Sequence, residues 1–189
     1  NVGNILQYSL TDIFDNYGTY EIEIMAIGDG RSFSNSDMSK INFTISKPSG
    51  TGTEEDPYIL YNYLDFINFI IPPDVNNSTL NKYYEIGNDI NLGGKEIKGN
   101  STNRFVRNVF QGCFDGNGCT ISNFKIVTQI NEQFYGLFGG TNEGIIRNVN
   151  LRNFSISPSQ AKNCMWIGSI VGRNEGHIIN CHAEGKIDI

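Results

Sequence analysis

The sequence predicts an all-β protein: a parallel β-helix-like solenoid with a short N-terminal helix, preceded by a separate antiparallel β segment. Three observations predict it. The first is an ungapped internal repeat, in which YGLFGGTNEGIIRNVNL (residues 135–151) is echoed by IGSIVGRNEGHIINCHA (residues 167–183). Gly136, Gly140, Asn142, Glu143, Gly144 and Asn148 fall on Gly168, Gly172, Asn174, Glu175, Gly176 and Asn180, an offset of 32 residues (180 − 148 = 32). Self-similarity at this period marks stacked units that bury their apolar faces against one another. The second is the spacing of apolar residues within each unit, two apart at its end, as in a strand with one buried face. The third is a Gly-rich turn closing each unit, where residues tolerant of positive φ let the chain bend.

The first 47 residues differ from the rest. Gly18–Gly30 alternates apolar Tyr20, Ile22 and Ile24 with polar Thr19, Glu21 and Glu23, the pattern of a half-buried antiparallel strand. Residues 32–45 supply a loop and a second strand, and 7–10 read as a third. Residues 48–56, rich in Gly, Ser and Pro, read as a linker. Leu60, Leu64, Ile67 and Ile71 then recur at helical spacing up to Pro72-Pro73, which predicts an amphipathic helix covering the first coil. Its polar face carries no Lys or Arg, which argues against a membrane-surface helix.

Residues 57–189 form the repeat region. Asn123-Phe124-Lys125-Ile126 aligns with Asn148-Val149-Asn150-Leu151 at an offset of 25, and Ile90 and Leu92 align with Phe124 and Ile126 at 34. This alignment predicts three apolar columns: Ile121/Ile146/Ile178, Phe124/Val149/Cys181 and Ile126/Leu151/Ala183. Asn123, Asn148 and Asn180 become one Asn ladder, and Phe134 and Trp166 an aromatic pair. The irregular period predicts loops leaving the stack at 93–109 and 157–165.

The two repeats resemble the GLUG motif, which reads roughly G-L-(V/F)-G-x-N-x-G-x-I-x-N-(V/C). Pro57-YIL, Tyr83-YEIGNDINL and Phe110-QGCFDGNGCTISNFKI are similar to the leader that precedes such motifs. The resemblance covers about residues 50–189 and departs from the pattern at Asn91, Cys113 and Cys119. It implies a right-handed β-helix-like solenoid of the kind found in secreted and surface proteins of bacteria, including adhesins and regions of immunoglobulin A peptidases. It implies no catalytic residue. Residues 1–47 resemble the C-terminal half of a fibronectin type III or related immunoglobulin-like domain, with Tyr20 matching the tyrosine corner.

Composition narrows the function. Fourteen Lys and Arg stand against 20 Asp and Glu, a formal charge of −6, and the basic residues are scattered. A nucleic-acid partner wants a basic stripe to neutralise phosphates. No apolar run approaches the ~20 residues that a spanning helix needs.

Chemistry-bearing clusters are sparse. The repeat stacks one acidic pair, Glu143 with Glu175, and both lie in turns, which favours solvated corners over an acid–base pair. Asp89 and Asp115 read as turn-capping groups. Calcium at Glu143/Glu175 or around Asp115–Asn117 lacks a complete loop motif. Zinc on Cys164, His177, Cys181 and His182 has suitable ligand types and poor convergence. Cys113 and Cys119 flank a turn across which their side chains could meet.

The expectation is a non-catalytic module, with no cofactor or metal, of a larger secreted or cell-surface protein. It would be monomeric within a multidomain chain and serve adhesion, spacing or display towards a host protein, matrix protein or glycan. A carbohydrate-binding or carbohydrate-active β-helix and an accessory domain of a secreted peptidase are the alternatives.

Overall fold

The structure is a computed structural model and describes residues 16–70, 81–99, 109–128, 134–157 and 166–188. The chain forms two compact units, one within Ile13–Lys47 and the other beginning at Pro48.

In the first unit β1 (Gly18–Ile24) pairs antiparallel with β2 (Ser39–Ile45), as the alternation predicts. Tyr20 faces Phe43 with ring centroids 5.6 Å apart, and Lys40 lies between Glu21 and Glu23 on the opposite face. The Tyr20 hydroxyl donates to the Asn16 carbonyl at 2.5 Å. The expected strand at 7–10 lies outside the described residues.

The second unit is a β-solenoid. β3 (Tyr58–Leu60) leads into the helix α1 (Tyr63–Ile70). The first coil continues with β4 (Tyr83–Ile86) and β5 (Ile90–Gly99). The second contains β6 (Val109–Phe110), β7 (Cys113–Asp115) and β8 (Thr120–Thr128). The third runs through β9 (Phe134–Tyr135), β10 (Thr141–Asn142), β11 (Ile145–Arg147) and β12 (Asn150–Ser157). The fourth repeats that order in β13 (Trp166–Ile167), β14 (Arg173–Asn174), β15 (His177–Ile179) and β16 (His182–Ile187). Equivalent strands pair in parallel, giving sheets β14-β10-β6, β15-β11-β7-β4-β3, β16-β12-β8-β5 and β13-β9.

The register corrects the predicted columns. Ile146 faces Ile178 as expected, but its other partner is Phe114. Ile121 lies beside Ile90 and Leu151, Phe124 beside Phe154, and Ile126 beside Ile97 and Ile156. The offset between the second and third coils is therefore 32 along β7–β11 (146 − 114) and 30 along β8–β12 (151 − 121), not 25. Four residues, 116–119, join β7 to β8, whereas two, 148 and 149, join β11 to β12. The two additional turn residues displaced the alignment. The expected loop from 93 is also corrected. β5 continues to Gly99, taking up its extra residues in an irregularity between Asn91 and Lys95.

The core fills the solenoid interior with buried apolar side chains, among them Ile90, Ile121, Leu151, Ile126 and Ile156. The helix packs against this core, its Phe66 and Phe69 among the core residues. Asn62 and Asp65 exchange bonds there: Asp65 N–H donates to Asn62 Oδ1 at 3.0 Å, and Tyr61 N–H and Asn62 Nδ2 donate to Asp65 Oδ2 at 2.9 Å. This reciprocal cap starts the helix at Tyr63. Leu64, Phe66 and Phe69 are the buried apolar positions of α1. Leu60, expected to begin the helical stripe, is buried in β3, and Ile67 is only half-buried. Phe66 and Phe69 join Phe110, Phe114 and Phe138 in an aromatic cluster, with Phe69 and Phe114 stacked 5.2 Å apart.

Candidate functional site

Bends between strands, and within β8 and β12, carry the polar groups that run from coil to coil. Five asparagines, Asn117, Asn123, Asn148, Asn153 and Asn180, adopt left-handed backbone geometry, with φ between 49° and 57°. Asn tolerates that conformation better than other residues with a side chain. Its amide also offers both a donor and an acceptor to the coils on either side.

The structure splits the expected ladder into two. Asn180 Nδ2 donates to Asn148 Oδ1 at 2.9 Å, and Asn148 Nδ2 donates to Asp115 Oδ1 at 2.9 Å. Asn123 belongs to the other ladder. It donates to Asn91 Oδ1 at 2.9 Å and accepts a short bond from Asn153 Nδ2. A further rung, which the sequence reading missed, joins buried Asn142 Nδ2 to Asn174 Oδ1 at 2.8 Å. The 32-residue offset places those two residues in register and was the available signal.

Asp115, on β7, is a buried charged group that ties two coils together. It caps its own turn by accepting the Asn117 N–H at 2.8 Å, as expected, and it also accepts from Arg147 Nε at 2.6 Å. Burial pushes its carboxyl up, but the bonds from Asn148, the Asn117 N–H and Arg147 outweigh that and hold it below the ordinary value of 3.8. Asp89 likewise accepts the Thr120 N–H from the next coil at 2.8 Å.

Glu143 and Glu175 occupy equivalent exposed turns, each engaged by its own neighbour. Gln111 Nε2 donates to Glu143 at 2.9 Å, and Arg173 pairs with Glu175. His177 lies on β15 and His182 on β16, both exposed, while Cys164 lies outside the described residues. Among the described residues, no group of three or more His, Cys, Asp or Glu is arranged to hold a metal ion.

Cys113, Cys119 and Cys181 are free thiols. Cys113 is paired in register with Tyr83 and Ile145, and burial pushes all three thiols up, which disfavours the reactive thiolate. Trp166 is exposed and its backbone pairs in register with Phe134.

Glycines set how closely the coils approach. A Cβ on Gly144 would lie 2.1 Å from the Gly112 carbonyl oxygen, and one on Gly176 would lie 2.2 Å from the Gly144 oxygen. Those oxygens accept the N–H of Ile145 and His177 at 2.9 and 2.8 Å. Gly112, Gly144 and Gly176 thus form a column with an offset of 32 at each step (144 − 112, 176 − 144), and it coincides with the Gly of the repeated Asn-Glu-Gly.

These features define a repeat protein of the β-solenoid class whose coils are joined by Asn rungs and a glycine column. Within it, residues 165–188 match a family model described as the GLUG motif. The chain is also similar to halomucin of Haloquadratum walsbyi (strain DSM 16790 / HBSQ001), 32% identical over 146 residues, or 73% of this chain. It spans only 2% of the length of that relative. No solved structure matches it. Among the described residues, no helix is long and apolar enough to cross a membrane.

Proposed function

We propose that this chain is a non-catalytic module of a larger secreted or cell-surface protein, with the solenoid serving as a stiff spacer or adhesive wall. The observation that carries the reading is the engagement of its polar groups. Asp115, Asp89, Glu143 and Glu175 each hold a turn or a neighbouring coil, leaving no desolvated acid–base pair among them. The GLUG match and the similarity to halomucin support an extracellular setting. In that setting β1 and β2 are the last strands of an immunoglobulin-like neighbour. The Tyr20 hydroxyl bonded to the backbone four residues upstream supports that assignment. The solenoid is right-handed, in keeping with the strong preference of parallel crossover connections. Its partners are a host or matrix protein or a glycan, and nucleic acid is disfavoured because the scattered Lys and Arg form no stripe to match a run of phosphates.

The test is surface labelling of intact cells that produce the full-length protein, using an antibody to this segment. Labelling without permeabilisation is expected, whereas labelling only after permeabilisation overturns the reading.

A further inference from the structure

On the outer side of the bend shared by β5, β8 and β12 runs an open groove of about 470 Å³, lined in part by Asn91, Gly94, Asn123, Lys125, Asn153 and Lys186. Its volume lies within the range of ligand sites, ~300–1,000 Å³. Gly94 leaves one end open, since a Cβ there would meet nothing within 4 Å. At the other end the Gly185 backbone packs against the ring of buried Phe154, which is stacked on Phe124.

The polar lining is periodic because the coils are. Lys125, Ser155 and Lys186 occupy consecutive positions in register across β8, β12 and β16. Both lysines are exposed, and Lys125 alternates with the buried Phe124 and Ile126 on β8. Two strand spacings separate the lysines, about 9.6 Å. The Asn ladder at the bend uses one amide N–H of Asn123 and one of Asn153, leaving the second N–H of each as a donor.

We infer that this groove binds a linear acidic polysaccharide bearing a carboxylate on alternate sugars. A pyranose and its glycosidic link advance a chain by close to one strand spacing. One sugar then lies over each coil, and carboxylates on every second sugar meet Lys125 and Lys186 in turn. The Asn amides bond the hydroxyls between them. An open, shallow groove suits a polymer that passes through it. Lys186 is held 2.6 Å from exposed Asp188, a surface pair that a carboxylate displaces at little cost. The inference rests on the reading of an extracellular module and names its ligand class.

The test is isothermal titration of the 189-residue protein with a hyaluronan octasaccharide and with dextran at low ionic strength. Saturable binding to the octasaccharide but not to dextran is expected. It should weaken about tenfold or more in Lys125→Ala/Lys186→Ala, as the loss of two charge-assisted contacts requires. Ser155→Trp, which fills the groove without altering charge, should weaken it similarly, and Lys40→Ala on the other unit should bind as the parent does. Absence of octasaccharide binding, equal binding to dextran, or affinity unchanged in both groove variants overturns the proposal. Intact-cell labelling with no octasaccharide binding removes the groove and leaves the surface reading standing.

Discussion

Asn148 performs two tasks that substitution can separate. Its backbone is left-handed at φ 54°, and its amide links Asp115 to Asn180. Asn148→Gly keeps the backbone and loses the rungs, which should cost about 1–2 kcal/mol in urea unfolding. Asn148→Ala adds the left-handed penalty, about 1 kcal/mol more. Equal losses in the two variants would mean that the bend is not under conformational demand. Asp115 gives a pH signature. Its folded value lies below the ordinary 3.8, so its contribution is complete above 3.8 and disappears as pH falls through the folded value. Asp115→Asn should cost about 2 kcal/mol at pH 7, moderated by the half-exposure of Arg147. The gap between variant and parent should close in chemical denaturation below pH 3.8.

The repeating element is the coil, and the glycine column makes its spacing stringent. Gly144→Ala places a Cβ against a backbone oxygen of the preceding coil, which cannot rotate away as a side chain would. The expected loss is about 3 kcal/mol in the main unfolding transition. Gly176→Ala meets a similar contact in the fourth coil and should loosen that coil while sparing much of the main transition. Phe66→Ala tests the helix. Phe66 is fully buried among Phe69, Phe114 and Phe138, so its removal should cost about 3–5 kcal/mol in thermal or urea unfolding.

What the sequence disclosed follows from the same geometry. The third and fourth coils repeat without insertion as far as Arg152, so their register up to there, the Asn148–Asn180 rung and the glycine pair were legible. The second coil carries two more turn residues, and matching Asn123 to Asn148 shifted the assigned columns of β8. The helix stripe was misplaced because an i, i+4 pattern does not reveal that Asn62 and Asp65 start the helix after Leu60 has joined a strand. The Arg147–Asp115 pair was hidden because its partners are 32 residues apart and outside the apolar pattern. Asn91–Asn123 and Asn123–Asn153 join equivalent bends through different loop lengths, which no single offset aligns.

At the scale of the whole molecule, protection should be graded along the solenoid. Ile146, between two neighbouring strands, is 0% exposed, whereas its equivalent Ile178 on the edge strand β15 is 37% exposed. In the isolated 189-residue chain, hydrogen–deuterium exchange should therefore be slower across 145–157 than across 173–187. Uniform protection over both stretches would contradict a nearest-neighbour stack. The 32-residue offset that puts Gly112, Gly144 and Gly176 in line has a further consequence for inheritance. Joining the chain at one of these glycines to the equivalent position in another coil preserves the phase of the strands on either side. Unequal recombination at such points changes the number of coils in whole steps, while a join between non-equivalent positions scrambles inside and outside. A gene built this way can vary the reach of its product from one lineage to the next without having to invent a new fold.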